Sequence, residues 1–554
     1  MIDASKLTLP ALFYNSVEKF ADKTSIVFVG EENYTYKKMG EDVELLAELL
    51  MELGVKHGDK VAILGTNMPN WGKAFFAVSV LGAIAVPILP DFHPNEIKTI
   101  IEHSESKLLF VSEGLYRSVD KETAALVETM IMIDNFAIVP KETSADQLQS
   151  LETAVPQVKC NFVPFDVDEQ DLASIIYTSG TTGNSKGVML THKNLAWTAQ
   201  QSRTLQKIES DDRFISLLPL SHTLENTVGF LLPIMYGASV HYLRKPPVPS
   251  VLLPALKKVK PTVMLLVPLI IEKVYKSKIQ PTFQKNGLMK FLSTFAPTRK
   301  ILHKLAGKKL YETFGGKLRF FGIGGAKLDT AVERFLYESG FPYAIGYGLT
   351  ETAPLLSGAV QKNRKIGSAG IAMEGVRLRI ANPDPVTGEG EIQAKGENVM
   401  KGYYKAPEIT KEVFTEDGWF RTGDRGMFDK DNLLHIKGRI KTMIVGASGE
   451  NIYPEEIESV INKMRFVLES LVVEKKGKLV AMIHLNMEEI EENFKHMKEE
   501  AKQFIAEKSE ELLLEIHKKV NQEVNKFSRI NQVVLQPIPF ERTPTRKIKR
   551  FLYS

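Results

Sequence analysis

The sequence of 554 residues contains a single cysteine, Cys160, in the polar stretch QVKCNFVP. One cysteine forms no intramolecular disulfide and no cysteine-rich zinc site, so a reducing compartment such as the cytosol is expected. No histidine or basic cluster flanks Cys160 to activate its thiol, which disfavours a role as nucleophile.

Long apolar runs and an excess of one charge are also missing. The longest apolar run, AFFAVSVLGAIAVPILP at 74–90, is shorter than the roughly 20 residues of a membrane helix. Because it contains Gly82 and two prolines, it predicts a helix that ends near Gly82 and a buried strand after it. The first 20 residues lack the pattern of a signal peptide. A net charge of +4 does not indicate a nucleic-acid partner.

Strand-like and helix-like runs alternate over the first three quarters of the chain. KVAILGT precedes a helix predicted from Trp71 to about Leu81, AIAVPIL precedes HPNEIKTIIEHS, and SKLLFVS precedes the helix-like KETAALVETM. This alternation predicts crossover units on largely parallel sheets. Near residue 370, the turn-rich VRLRIANPDPVTGEGEIQAKG predicts antiparallel strands.

An α+β pattern follows the turn DKDN. A helix is predicted to begin at Pro454, ESLVVEKKGKLVAMIHL predicts a hairpin around Lys476 and Gly477, and residues 487–527 form a charged helical stretch. We therefore predict an α/β fold. A large N-terminal domain, residues 1–436, has crossover βα layers and a distorted antiparallel β subdomain. A boundary at 437–441 separates it from a small α+β domain at 442–554, and the hinge and mobility assigned to these parts are what the resemblance described below implies.

The segment YTSGTTGNSK, residues 177–186, follows the apolar run LASIIYT. Its glycines free the backbone, so that successive N–H groups can turn inward and hold phosphate oxygens. Hydroxyls and one ammonium add further donors, which favours a nucleoside triphosphate as the ligand. The residues concerned are Thr178, Ser179, Gly180, Thr181, Thr182, Gly183, Ser185 and Lys186. Taken alone, the segment is also compatible with a polar surface loop.

A P-loop of the ATPase or kinase type is disfavoured. Its pattern is G-x-x-x-x-G-K-[ST], and Lys186 falls correctly when the pattern is aligned from Gly180. However, Ser185 stands in place of the second glycine, and Gly187 in place of the residue that would bind magnesium.

Seven motifs in one order resemble AMP-forming acyl-CoA synthetases of the adenylate-forming ligase superfamily. The first is YTSGTTGNSKGVMLTHKNL, and the others are LPLSHTLENT, GIGGAKL, GYGLTET, GWFRTGD, KGRIKTMIVGASGENIYPEEIE and TPTRKIKR. The resemblance covers essentially the whole chain. It implies a ligase that uses ATP and Mg²⁺ to convert a fatty acid to an acyl-adenylate and passes the acyl group to coenzyme A.

The resemblance also implies roles for individual residues. Adenine would stack on Tyr347 beside Gly348, with Gly325 and Ala326 nearby. Thr350 would bind phosphate, Glu351 and Thr178 would bind the metal, and Asp424 and Arg439 would bind ribose and phosphate. His222 would lie beside the acyl carboxylate. Without the resemblance, Tyr347 reads as a core residue, Glu351 as an exposed glutamate, Asp424 as a turn residue and His222 as structural.

The C-terminal motifs supply the parts that would change place between two half-reactions. Lys547 resembles the catalytic lysine, whose ammonium would stabilise charge developing on the α-phosphate. Lys441 matches the hinge, and a loop with Gly446, Gly449, Glu450 and Asn451 would then face coenzyme A. Arg546 occupies the position where many relatives have glycine, as in the long-chain branch. Composition alone would make this a solvated basic tail, with five Lys or Arg in nine residues.

A basic segment at 291–314, FLSTFAPTRKILHKLAGKKLYETF, resembles a helical segment of long-chain enzymes. It suggests peripheral contact with the inner face of a membrane, although a solvated helix with one buried face fits the same pattern. Three alternatives to the coenzyme A ligase stay open at this point. They are an acyl-AMP or acyl-carrier-protein ligase, a P-loop ATPase, and an inactive lipid-binding scaffold.

Overall fold

The computed structural model describes residues 5–31, 33–155, 162–178, 185–284, 287–445, 451–475, 477–494, 501–525, 528–543 and 548–553. Cys160, the loop residues 179–184, the loop residues 446–450 and Lys547 therefore lie outside the described residues. The chain forms two compact units. Unit 1 comprises residues 1–328, 332–378 and 394–420, and unit 2 comprises residues 329–331, 379–393 and 421–554. The predicted domain limits at 436, 437–441 and 442 remain a prediction.

The described part of the chain contains both long and short helices. The α-helices are α1 (Leu9–Lys19), α2 (Tyr36–Glu52), α3 (Pro69–Val80), α4 (Pro94–Ser104), α5 (Lys121–Ala125), α6 (His192–Leu205), α7 (Leu232–Met235), α8 (Pro249–Val259), α9 (Pro268–Val274), α10 (Gln280–Gln284), α11 (Gly287–Thr294), α12 (Ala296–Thr313), α13 (Thr330–Ser339), α14 (Pro407–Glu412), α15 (Pro454–Ile461), α16 (Met487–Phe494) and α17 (Ala501–Glu523). The 3₁₀-helices are Glu113–Ser118, Ala145–Ser150, Thr350–Thr352, Ile440–Thr442 and Arg550–Leu552, and the π-helices are Glu225–Leu231 and Tyr275–Ile279.

The strands are mostly short and alternate with these helices. They are β1 (Ile26–Phe28), β2 (Lys60–Leu64), β3 (Ile84–Ile88), β4 (Ser106–Val111), β5 (Thr129–Met132), β6 (Ala137–Val139), β7 (Leu172–Thr178), β8 (Lys186–Thr191), β9 (Arg213–Ile215), β10 (Ser239–Tyr242), β11 (Val263–Leu266), β12 (Phe320–Ile323), β13 (Tyr343–Gly348), β14 (Leu355–Ala359), β15 (Ile371–Ala372), β16 (Arg377–Ala381), β17 (Gly390–Lys395), β18 (Gly402–Tyr403), β19 (Phe420–Phe428), β20 (Leu434–Arg439), β21 (Ile444–Val445), β22 (Asn451–Ile452), β23 (Val467–Lys475), β24 (Lys478–Leu485) and β25 (Gln532–Leu535).

Unit 1 contains two mixed eight-stranded sheets. The first has the order β1-β10-β9-β11-β12-β13-β14-β15, and its strands run parallel from β1 to β13. The second has the order β18-β8-β7-β3-β2-β4-β5-β6 and is parallel from β7 to β5. Helices follow the parallel strands as crossover connections, so the predicted α/β fold is confirmed.

The apolar run at 74–90 shows how local sequence sets these elements. Helix α3 begins with Pro69 at its first turn and is almost entirely buried. The chain then turns at Gly82, whose φ of +68° lies in the left-handed region that suits glycine. Strand β3 follows with every residue buried, as expected for a central parallel strand.

One predicted helix is much shorter than expected. KETAALVETM was predicted to be helical, but α5 ends at Ala125 and β5 begins at Thr129. Strand β5 pairs in parallel with β4, from Leu108↔Thr129 to Val111↔Met132. The hydrogen bonds and burial that this sheet position provides outweigh the local helical pattern.

Unit 2 has an α+β structure. In the three-stranded sheet β23-β24-β25, the predicted hairpin is present, with Lys475 paired to Lys478 and Gly477 at φ +73°. Helix α15 begins at Pro454 as predicted. Ile457, Ile461, Leu513 and Val520 pack with the sheet in a separate apolar core.

Candidate active site

The predicted phosphate loop connects two neighbouring antiparallel strands. Strand β7 ends at Thr178, β8 begins at Lys186, and these two residues are directly paired. In an ATPase-type P-loop, by contrast, the glycine-rich segment opens a helix. Here a strand follows the loop, and α6 begins only at His192. The hairpin is thus inconsistent with the P-loop alternative.

Glu351 lies in the 3₁₀ turn Thr350–Thr352, directly after β13. The Glu351 carbonyl accepts a hydrogen bond from the Met400 amide at 2.9 Å. Asn398 Nδ2 donates to the Thr352 carbonyl at 3.2 Å and to the Leu355 carbonyl at 2.7 Å. The turn that carries Glu351 and the residues directly after it are therefore held by hydrogen bonds from Met400 and Asn398.

Tyr403, which the sequence analysis did not single out, joins the two charged candidates. Its hydroxyl donates to Glu351 Oε1 at 2.9 Å, and Lys186 Nζ lies 5.1 Å from its ring centroid. Strand β18 places it there by antiparallel pairing with β8, in which Tyr403 is opposite Val188. The sequence Gly-Tyr-Tyr at 402–404, shortly before Pro407, was the available indication of a short strand. The sequence does not reveal which distant strand this segment pairs with.

Gly348 has a structural role that the sequence analysis did not foresee. A Cβ built on this residue would lie 1.7 Å from the Pro354 carbonyl oxygen. Close backbone packing within the turn therefore requires glycine at this position, independently of any approach by a nucleotide base. Tyr347 is 8% exposed and paired with Ser357 in β14.

Three predicted motifs meet at one edge of the first sheet. Strands β9, β11, β12 and β13 are parallel neighbours, so their carboxyl ends share this edge, where ligands of open α/β sheets bind. Gly325 and Ala326 follow β12 and are exposed. A Cβ on Gly324 would lie 3.2 Å from Leu224 Cδ2 and 3.6 Å from the Gly346 carbonyl oxygen. The segments GIGGAKL, LPLSHTLENT and GYGLTET are thus in contact.

His222 precedes the π-helix and is partly exposed. Its Nδ1 accepts a hydrogen bond from the Leu224 amide at 3.2 Å. An imidazole that accepts at Nδ1 carries its proton on Nε2 when neutral. This hydrogen bond restrains the His222 ring in the segment that is predicted to lie beside the acyl carboxylate.

The buried carboxyl group of Glu225 supports the segment that carries His222. Ser216 Oγ donates to Glu225 Oε1 at 2.6 Å, and Asn67 Nδ2 donates to Ser216 Oγ at 2.9 Å. The Leu220 amide donates to Asn67 Oδ1 at 2.9 Å, which closes the network. Burial raises the pKa of Glu225 to about 8, against smaller opposing effects of the hydrogen bonds from Ser216 and the Leu218 backbone.

In unit 2, the predicted ribose residues form a pair. Asp424 and Arg439 face each other across β19 and β20, with Arg439 Nε 3.0 Å from Asp424 Oδ1. Asp424 is buried, whereas the Arg439 side chain is 43% exposed. Lys441 follows in the single turn Ile440–Thr442 and is exposed.

The residues on either side of Lys547 are anchored in unit 2. Arg542 and Ile548 form an antiparallel bridge, and Arg542 pairs with Glu469. Arg550 pairs with the buried Glu458 and lies 3.5 Å from Glu455. These contacts differ from those of a solvated tail. Asn451 begins β22, while the other predicted coenzyme A-side residues lie outside the described residues.

The available oxygen ligands suit magnesium better than a metal held by protein alone. Among the described residues, no group of three or more His, Cys, Asp or Glu side chains could hold a metal ion. Mg²⁺ commonly takes one or two protein oxygens and completes its shell with water and phosphate oxygens. The Glu351 carboxylate and the Thr178 hydroxyl fit that description.

Residues 13–404 match the family model described as AMP-binding enzyme. The chain is 30% identical to the long-chain-fatty-acid–CoA ligase heimdall of Drosophila melanogaster, over 82% of this chain and 72% of the relative. It is 28% identical to the chloroplastic long-chain-fatty-acid–[acyl-carrier-protein] ligase AEE15 of Arabidopsis thaliana, over 87% and 76%. The crystal structure of ATP-bound RpMatB-BxBclM chimera B1 is similar with a TM-score of 0.78 and 25% identity, over 99% of this chain and 98% of the chimera.

Proposed function

The chain belongs to the family of AMP-binding enzymes, and we propose that this adenylate-forming ligase converts a long-chain fatty acid to its coenzyme A thioester. ATP would be cleaved to AMP and pyrophosphate. The observation that best supports the proposal is the arrangement around the β7–β8 hairpin. Thr178 and Lys186 are paired at the ends of the two strands that flank the loop, and the Tyr403 side chain contacts both Lys186 and Glu351. The long-chain relative covers most of the chain.

In the first half-reaction, a carboxylate oxygen of the fatty acid attacks the α-phosphorus of ATP. The bond between that phosphorus and the bridging oxygen breaks, and pyrophosphate leaves. Lys186 attracts the outer phosphates, Asp424 accepts hydrogen bonds from ribose hydroxyls, and Lys547 stabilises the charge on the α-phosphate oxygens. Glu351 and Thr178 would hold Mg²⁺, whose positive charge would stabilise the departing pyrophosphate.

In the second half-reaction, the thiolate of coenzyme A attacks the acyl carbonyl and AMP leaves. The C-terminal domain would turn about Lys441 between the two steps. This movement would withdraw Lys547 and bring forward the loop that contains Gly446, Gly449, Glu450 and Asn451. Closing the site in the first step would protect the adenylate from hydrolysis.

ATP–pyrophosphate exchange over a series of fatty-acid chain lengths tests the adenylation step directly. We expect exchange to depend on the fatty acid and to be greatest for long chains. Release of orthophosphate or ADP in place of pyrophosphate would contradict the proposal. The same series with coenzyme A, and with an acyl-carrier protein as alternative acceptor, identifies the thiol. The carrier-protein arm is needed because one similar relative is a carrier-protein ligase.

We also propose that helices α11 and α12 contact an anionic membrane surface. Five large apolar side chains there are between 60% and 70% exposed: Leu288, Phe291, Phe295, Ile301 and Leu305. Residues 287–314 contain six Lys or Arg against one Glu. Such apolar and basic side chains together suit partial insertion among anionic headgroups. No helix among the described residues is long and apolar enough to cross a membrane.

Flotation with acidic and neutral liposomes at low and high salt tests this contact. We expect binding to acidic vesicles that high salt weakens and that Phe291→Ser with Phe295→Ser abolishes. Val386→Ser is the matched control, because Val386 is 91% exposed in the other unit. Equal binding of the variant and the control, or no binding by the unchanged protein, would contradict the proposal.

A further inference from the structure

The contacts of Tyr403 are unusual because one aromatic ring serves two opposite charges. Its edge carries the hydroxyl that donates to Glu351 Oε1 at 2.9 Å. Its face receives the Lys186 ammonium, 5.1 Å from the centroid, within the range of a cation–π interaction. A phenol can do both at once because its hydroxyl lies in the ring plane and its negative potential lies above the face.

The backbone fixes this ring in place. On either side of Tyr403, the Lys401 amide donates to the Met189 carbonyl at 3.0 Å and the Tyr404 amide donates to the Gly187 carbonyl at 2.8 Å. The Tyr403 amide donates to Thr410 Oγ1 at 2.8 Å. Tyr403 is only 6% exposed. Its position is therefore set by strand pairing with β8, the strand that begins with Lys186, and needs no bound ligand.

Lys186 and Glu351 do not form an ion pair with each other, as judged within the part of the chain that the structure describes. Both contact the same tyrosine and their charges attract, so loss of the ring would allow the two groups to approach each other. Such a pair would occupy the carboxylate that a divalent cation needs. It would also neutralise the ammonium that attracts phosphate.

We propose that Tyr403 is a positioning residue that keeps the Lys186 ammonium and the Glu351 carboxylate apart and aimed at different ligands. The ammonium is thereby available to the outer phosphates of a nucleoside triphosphate, and the carboxylate to its divalent cation. This inference rests on the proposed function for the identity of the ligand. It assigns to Tyr403 no contact with the reacting atoms.

Tyr403→Phe and Tyr403→Leu separate the two contacts. The phenylalanine variant retains the ring but loses the hydroxyl. We therefore expect the apparent affinity for the divalent cation to fall about tenfold, while the affinity for ATP stays nearly unchanged. The leucine variant loses both contacts and should weaken metal and nucleotide binding together. Tyr404→Phe is the matched control. Tyr404 is the next residue in the chain, and its ring packs against His103, with 5.7 Å between the ring centroids.

Binding of Mn²⁺ in the presence of ATP, followed by electron paramagnetic resonance, gives a measurement that does not depend on turnover. Tyr403→Phe combined with Glu351→Gln should be no worse than Glu351→Gln alone, because the hydroxyl acts through that carboxylate. Additive losses, or equal behaviour of Tyr403→Phe and Tyr404→Phe, would overturn the inference. Tyrosine-dependent Mn²⁺–ATP binding by a protein that activates no fatty acid would instead overturn the proposed function alone.

Discussion

Among individual side chains, Glu225 should link folding stability to pH. Its pKa rises from an ordinary value of 4.5 to about 8 on burial, so the folded protein retains a proton that the unfolded chain releases. Stability from this group is complete below pH 4.5 and falls as pH rises towards 8. The loss is at most about 1.4 kcal/mol per pH unit.

The variant Glu225→Gln removes the titration and keeps the shape of the neutral carboxyl. As pH rises from 5 to 9, we expect the unfolding free energy of the unchanged protein to fall relative to that of the glutamine variant. Urea denaturation at several pH values measures this difference. Exposed Glu416→Gln is the control and should follow the unchanged protein. Parallel curves for all three proteins would show that Glu225 does not titrate as inferred.

Candidate site residues could be identified from the sequence where a motif contained them, but not where distant strands create the contact. Asp424 and Arg439 were both identified from their motifs, and sheet pairing brings them together. Tyr403 was missed because its importance depends on a strand that begins more than 200 residues earlier, at Lys186. Glu225 was present in a recognised motif, yet its raised pKa depends on burial, which periodicity does not reveal.

Among the elements, the tight connection between β13 and β14 should be the least tolerant of added atoms. A Cβ at Gly348 would overlap the Pro354 carbonyl oxygen at 1.7 Å, so backbone atoms rather than a flexible side chain would have to shift. We therefore expect Gly348→Ala to destabilise unit 1 by about 3 kcal/mol and to displace the turn that carries Glu351.

Thermal unfolding and ATP–pyrophosphate exchange together measure the effect of Gly348→Ala. The matched control is Gly114→Ala, because a Cβ on Gly114 would meet no atom within 4 Å. The control should retain the stability and activity of the unchanged protein. Equal stability of the two alanine variants would show that the turn can relax around a methyl group.

Elements with strong local signals were predicted well. The chain turns at Gly82 between α3 and β3 because glycine accepts the left-handed φ of +68°, and α15 begins at Pro454 because proline fixes φ at a value that suits the first turn of a helix. Residues 121–130 lack such a signal, and pairing of β5 with β4 decided their structure. Sequence reasoning also placed residues 291–314 in helices but did not predict that Phe291 and Phe295 would be so exposed.

For the molecule as a whole, the two half-reactions should respond oppositely to changes in the C-terminal part. Lys547→Ala should abolish adenylate formation but retain most thioester formation from supplied acyl-adenylate. Lys441→Pro should do the reverse, since proline fixes φ near −65° at the proposed hinge. Lys441→Ala is the control and should leave both steps nearly unchanged. Separate single-turnover assays of the two steps measure these effects, and equal loss of both steps in either test variant would contradict the assignment.

The division of the chain into discontinuous units limits how the protein can be dissected. Strand β17 is the neighbour of β19 in the four-stranded sheet, although residues 394–420 of unit 1 lie between residues 393 and 421 of unit 2. A recombinant fragment beginning at residue 421 would therefore expose the bare edge of β19 and tend to aggregate. Isolating this unit requires a fusion that reconnects residues 379–393 to residue 421, since expression from one internal start codon would omit a structural strand.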